Sequence, residues 1–284
     1  MTGQRFASTI AIDWSGAKGK RHKGIAVAQA RGDDAPALVR PDHVWSRTEI
    51  LDWLADQLQR EPTLVGFDFS FAPPLVERGA YLPGENVPSE AKAFWAYVEA
   101  VSADEDLGAA SFLEQRHRRH FYFGKADGTK ADYMHFRQCE QVLNAAGGGK
   151  AATVFDAIGA AQVAKASFAG MRLLHRLAGR VPIWPFDPIE PGRSAIVEIY
   201  GRLYIRRAGL SGRKLRTLAD LDAALAALGS PRVALDRDPS DHESDALVTA
   251  AGMRHVLHTE PQAFAPPALT PDIARTEGWT FGVI

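Results

Sequence analysis

Residues 9–16 read TIAIDWSG: an apolar run with the pattern of a buried strand, one acid at Asp13, and a turn that ends in Gly16. Residues 24–30 (GIAVAQA) match it as a hairpin partner, and the SGAKGKRHK link between the two is rich in glycine and basic residues, as an exposed turn should be. A third short strand is expected at 43–46. Ser46 and Glu49 then have the spacing of a capping box, and Ile50, Leu51, Leu54 and Leu58 follow on one side of a helix. A fourth apolar strand is read at 64–71 (LVGFDFSF), stopped by Pro73 and Pro74. The chain therefore opens β-β-β-α-β.

The pattern changes between residues 72 and 193. The stretches 89–101, 111–124, 131–143 and 153–177 all favour helix, Gly147, Gly148 and Gly149 interrupt them, and a proline-rich segment (PIWPFDPIEPG) closes the block. We read 72–193 as a mainly helical insertion between strands 4 and 5 of one α/β domain spanning 1–284. The fifth strand is AIVEIY at 195–200, followed by a basic loop to residue 216 and a helix at 217–228. Ser240 and Glu243 form a second capping box, which opens a last long helix at 241–257. Trp184 and Trp279 read as core residues.

With 284 residues, 46% hydrophobic and 24% charged, the chain can bury a full core and is not disordered. Its 33 Lys+Arg against 34 Asp+Glu exclude a generally basic nucleic-acid coat, so a polyanion would have to be held by a local patch. A single cysteine, Cys139, excludes a disulfide scaffold and a cysteine-rich zinc module. The N-terminal residues lack a signal-peptide apolar region, and no apolar run reaches membrane-spanning length. The expectation is a soluble cytoplasmic protein.

Three apolar strands each carry one acid: Asp13, Asp68 and Glu198. An ionised carboxylate among Ile, Val and Phe is costly unless paired, protonated or bound to a metal. Each acid alone has an ordinary structural reading: Asp13 capping its turn, Asp68 accepting backbone donors, Glu198 meeting an arginine. Three on strands expected to be neighbours call for a shared compensation, and Mg2+ or Mn2+ among carboxylates supplies it. A fourth acid, Asp245, lies one turn beyond Asp241 on the last helix. Such a site suits phosphodiester hydrolysis by metal-activated water.

The order of these pieces resembles the ribonuclease H-like fold, and within it the predicted nucleases catalogued as domain of unknown function 429. The resemblance is carried by Ile12-Asp13-Trp14-Ser15-Gly16, Gly66-Phe67-Asp68-Phe69-Ser70-Phe71, Val197-Glu198-Ile199-Tyr200, Asp245-Ala246-Leu247 and Glu277-Gly278-Trp279. It implies a mixed five-stranded sheet flanked by helices and a divalent-metal site at Asp13, Asp68, Glu198 and Asp245. It also implies that His242, three residues before Asp245, serves as a ligand or as a general acid or base. Where the family often has proline after the strand-5 motif, this chain has Gly201.

For the substrate, Lys165, Ser167 and Arg172 interrupt an apolar helix and could hold a phosphate, as could Arg213 and Lys214 in the basic loop, where Arg206, Arg207 and Arg216 add charge. Residues 116–125 interleave Arg and His with aromatic rings, which fits either a single-stranded nucleic acid or a solvated helix end followed by an apolar anchor. Residues 147–150 are not a phosphate-binding P-loop, since the spacing is wrong and Ala151 stands where a hydroxyl is needed. The leading expectation is a Mg2+- or Mn2+-dependent nuclease acting on DNA or RNA. One rival is a catalytically inactive ribonuclease H-like binding protein whose acids form structural pairs. The other is an ATP-using phosphotransferase of the same core, suggested by the turn after Asp13 but short of room for the duplicated core such enzymes need.

Overall fold

The computed structural model describes residues 6–148, 151–159, 162–210 and 212–284, so Gly149, Lys150 and Ser211 of the stretches named above lie outside the described residues. The chain is α/β. Five strands, β1 (Ser8–Asp13), β2 (Ala26–Arg31), β3 (Ala37–Leu38), β4 (Thr63–Phe67) and β5 (Ala195–Glu198), form one mixed sheet in the order β3-β2-β1-β4-β5. β1 runs antiparallel to β2 and parallel to β4, which is parallel to β5. The carboxyl ends of β1, β4 and β5 therefore share one edge, the place where open α/β sheets bind ligands.

The alternation of residue size along the first hairpin decides what covers each face. Ile10, Ile12, Ile25 and Val27 project into one core with helices α1 (Arg47–Gln57), α2 (Ala91–Val101) and α4 (Val163–Leu177). Ala11, Ala26, Ala28 and Ala30 point the other way. Those small side chains let α7 (Asp241–Thr259) lie close to the sheet, where the Thr9 hydroxyl donates to the Ala250 carbonyl at 2.8 Å. A side chain at Gly66 would meet Ile199 at 2.5 Å and Met253 at 2.8 Å, so only glycine fits under this helix. Helices α3 (Gln138–Ala145), α5 (Gly201–Arg207), α6 (Leu218–Ala227) and α8 (Pro271–Thr276) complete this second core. Trp184 and Trp279 are buried in it.

Several boundaries differ from the sequence reading. The third strand is residues 37–38, not 43–46; Trp45 instead forms an isolated bridge to His22 and is buried beside Trp53. Ser46 caps α1, but Glu49 turns to Arg21, Arg40 and His43 and so does not complete the box. Residues 201–207 are helix, where a basic loop was expected. The capping box at Ser240 and Glu243 is complete. Residues 68–194, between β4 and β5, carry α2, α3 and α4. The expected helix at 111–124 is only a π turn (Phe112–Arg116) and a 3-10 turn (Arg118–His120). The stretch 131–143 holds the end of a 3-10 turn (Lys130–Tyr133) before α3 begins at Gln138. In 153–177, of which Ala160 and Ala161 lie outside the described residues, α4 begins at Val163. No helix among the described residues is long and apolar enough to cross a membrane.

Candidate active site

Strand register divides the predicted acids into two sets. Asp13 ends β1, and Asp68 is the first residue past β4, its N–H donating to the Ile12 carbonyl at 3.1 Å. Glu198 ends β5 level with Phe67, which is itself level with Ile12. Glu198 is thus one residue short of the two aspartates, and the pleat sends its side chain to the opposite face.

On the α7 face, Asp13, Asp68 and Asp245 line a common narrow crevice with Ala11, Ile199, Ala246 and Thr249. His242, Asp245 and Thr249 follow one another at helical spacing, so one stripe of α7 faces the ends of β1 and β4. His242 Nδ1 lies 2.6 Å from Asp13 Oδ2, close enough for a protonated Nδ1 to donate to the carboxylate. That hydrogen bond raises the His242 pKa. Asp13 is nevertheless raised, because burial outweighs the help from His242. Asp68 is pushed well above the usual range by burial and then by Asp13, Asp245 and Glu198, and the Gly201 amide only partly offsets this. Proline at 201 could not make that bond. Asp245 is pushed up to about 6 by burial, Asp13 and Asp241. Among the described residues, no lysine or arginine forms an ion pair with Asp13, Asp68 or Asp245.

Glu198 has the opposite surroundings. Arg137 binds it in a two-pronged pair, Nη1 to Oε2 at 2.7 Å and Nη2 to Oε1 at 2.5 Å. The Phe71 amide donates to Oε2 at 2.7 Å and the Thr280 hydroxyl to Oε1 at 2.6 Å. Glu140 holds the rest of the guanidinium, and all three charged groups are buried. Glu198, expected as a metal ligand and catalytic group, thus has both oxygens engaged by donors of the chain itself, unlike the three aspartates. Glu277, also fully buried, accepts from the amides of Leu75, Val76 and Gln138, and its carbonyl accepts from Arg137 Nη1. The motif at 277–279 therefore anchors the segment that delivers Arg137.

Both sets open onto one cavity of about 340 Å³, which Trp14, Tyr200 and Arg202 also line. The Trp14 indole N–H is buried there without a hydrogen-bond partner. A side chain at Gly16 would strike the backbone of Lys165 and Ala166, so that glycine brings the turn after β1 against the start of α4.

The predicted phosphate contacts fare unevenly. Ser167 is fully buried, and its hydroxyl accepts from the Ser70 amide at 3.1 Å. Arg172 points away from the cavity to Glu99 and to the carbonyls of Asp104 and Gly108. Neither is free to hold a substrate, because α4 turns these two positions into the core. Lys165 is partly exposed near the turn at Gly16. Arg213 is exposed, and Lys214 and Arg216 both reach Asp241 rather than Asp245. Arg137, Glu140 and Arg202 were missed by sequence reasoning. The only local hint was the three-residue spacing of Arg137 and Glu140, at which the Glu140 carboxylate accepts from the Arg137 amide at 2.9 Å at the start of α3.

The crevice carboxylates do not bring three ligand atoms within 4.8 Å of one another. Among the described residues that compactness occurs only for Glu85, His117 and His120. Comparison of the chain with family models, curated proteins and solved structures found no match.

Proposed function

We propose that the protein is a metal-dependent phosphodiester hydrolase, a nuclease acting on DNA or RNA, in which Asp13, Asp68 and Asp245 hold Mg2+ or Mn2+. The observation that carries this reading is the crevice itself: three desolvated carboxylates at the carboxyl edge of the sheet, with His242 as their one ionisable hydrogen-bond partner. The donor set fits a hard divalent cation, since it is all carboxylate oxygen and its raised pKa values express an unmet need for positive charge. A cation bound there would polarise a phosphoryl oxygen and activate water.

The chain's own residues would do the rest. Asp13 is oriented by His242, whose half-exposed ring faces both the cavity and the adjoining groove and can exchange a proton with solvent. Arg137 fixes Glu198 and closes one wall of the cavity, so both act as positioning residues. Arg202, Arg213 and Lys214, on exposed positions, offer charge to a phosphodiester backbone. The strand order, with an antiparallel hairpin joined to a parallel trio, supports reading 1–284 as one ribonuclease H-like domain with 72–193 as its insertion, while the reading as a member of the family catalogued as domain of unknown function 429 rests on the sequence motifs alone.

The test is cleavage of labelled single-stranded, duplex and branched DNA and RNA with Mg2+ or Mn2+. Asp68→Asn should lower the rate by about 10³-fold, the equivalent of losing several kcal/mol of charge stabilisation. Intact substrates with every polymer, together with no Mn2+ binding, would end the proposal. A second reading, a catalytically inactive binding protein, is favoured by the Glu198–Arg137 pair, which is structural. Nucleic-acid binding that neither cleaves nor responds to Mn2+ would select it.

A further inference from the structure

Glu85, His117 and His120 lie in the segment between β4 and β5 and belong to neither half of the candidate active site. We propose that they form a second metal centre, one that takes Zn2+ or a cation of similar softness.

The local backbone brings the ligands together. His117 ends the π turn at 112–116 and caps the 3-10 turn at 118–120, and the His120 amide donates to the His117 carbonyl at 3.0 Å. Residues three apart on a 3-10 turn eclipse, which places both rings on one side. Glu85 comes from a turn whose amide donates to the Leu82 carbonyl at 3.0 Å. One ligand atom from each residue lies within 4.8 Å of the other two. Glu85 Oε1 is 3.3 Å from His120 Nε2 and 3.9 Å from His117 Nδ1. Tetrahedral zinc with bonds of about 2.0–2.2 Å would hold its ligand atoms roughly 3.3 Å apart.

The second observation is an orphan. His117 Nδ1 is buried, faces Glu85, and has no hydrogen-bond partner among the described residues. Its other nitrogen, Nε2, sits 2.9 Å from the Tyr97 hydroxyl. If Nε2–H donates to that hydroxyl, Nδ1 is left with a lone pair aimed at the gap, the arrangement that ligating histidines take from their supporting partners. Burial lowers the pKa of both imidazoles and so favours their neutral, ligating form. His120 Nε2 is claimed twice, by Glu85 Oε1 and by Arg119 Nε, both at 3.3 Å, and one nitrogen cannot serve both. A cation between the three ligands would satisfy His117 and Glu85 together.

Two imidazoles and one carboxylate suit zinc better than magnesium, which prefers oxygen alone. Three protein ligands leave a fourth position open. It would face a surface cleft lined by Tyr97, Ser111, Gln115 and Arg116. The cations around the site are Arg119, 2.8 Å from Glu85 Oε1 and largely exposed, Arg116, which donates to Tyr97, and Arg78, whose charge also acts on His120. Arg119 stands where the metal's charge would be and must swing out when it binds. The mixture of basic and aromatic residues at 116–125 is thereby accounted for without nucleic acid: Phe121 is buried, and Arg118 pairs with Asp127 and stacks on Phe123.

The test is calorimetric titration of the untagged full-length chain with ZnCl2 in excess Mg2+. One Zn2+ should bind per chain, and equally so in Asp68→Asn, which separates this site from the acidic crevice. His117→Ala, His120→Ala and Glu85→Gln should each weaken binding by more than tenfold. Tyr97→Phe should weaken it roughly 10- to 100-fold through its supporting bond, and Arg119→Ala should strengthen it. Glu85→Gln alters a partly exposed side chain and decides the matter if a histidine variant fails to fold. Absence of saturable zinc binding, or zinc binding that survives Glu85→Gln or is lost in Asp68→Asn, would overturn the proposal.

Discussion

Two carboxylate sites share the carboxyl edge of one sheet, a single residue apart in register, and their electrostatic states are opposite. Glu198 faces a guanidinium, an amide and a hydroxyl, and every oxygen is engaged. Asp13, Asp68 and Asp245 face one another and a histidine. Glu198, Arg137 and Glu140 are buried, whereas Asp13, Asp68 and Asp245 are partly exposed where they border the cavity. What separates a structural acid from a reactive one is whether the fold supplies a counter-charge. The first site is complete in the chain itself; the second, among the described residues, has no lysine or arginine paired with its three aspartates.

The contrast breaks most easily at Arg137. Arg137→Ala should cost about 3–5 kcal/mol, because Glu198 and Glu140 are left buried without their cation. A urea midpoint within error of wild type would show that this side of the comparison is misjudged.

On the other side the sign reverses. Burial, Asp13 and Asp241 push the Asp245 pKa up to about 6 from an ordinary value of 3.8. Between those pH values the folded state keeps a proton that the unfolded chain has lost, so metal-free stability should fall as pH rises from about 4 to about 6. The loss from this group is on the order of 3 kcal/mol. Asp245→Asn should make that slope shallower, leaving the share of Asp13 and Asp68, and be more stable than wild type at pH 7, as read by thermal melts across pH. Mn2+ affinity should rise over the same interval, since metal and proton compete for the same oxygens.

The smallest effect is expected at the rim. Lys214 and Asp241 form an exposed pair, so Lys214→Ala should change stability by less than about 1 kcal/mol. If the rim contacts phosphate, the same substitution should weaken nucleic-acid binding and lower its salt dependence by about one unit of slope. An unchanged salt slope would remove Lys214 from the interface.

Much of the architecture was legible because it is written in local patterns. Short apolar runs marked β1, β2 and β4, and capping residues at Ser46 and Ser240 marked two helix starts. The acids stood out because charge is rare in apolar runs. Less legible was the region between β4 and β5. There, residues of good helical propensity form only a π turn and a 3-10 turn, because His117, His120 and Phe121 are drawn inward by partners distant in sequence. Ser167 and Arg172 looked like polar breaks on an exposed helix side, but Ser70, Glu99 and two carbonyls bury them.

The amino-acid sequence by itself determined the α/β character of the chain, the hairpin that begins the sheet, the helix that carries His242 and Asp245, and which acids needed compensation. These follow from periodicity and from the cost of burying charge, which act over a few residues. Only the tertiary structure decided which compensation each acid received. Arg137 meets Glu198 across 61 positions of chain, and a one-residue offset between parallel strands sends Glu198 and the aspartates to opposite faces. Register and long-range pairing are set by the packing of the whole domain, and no local window of sequence contains them.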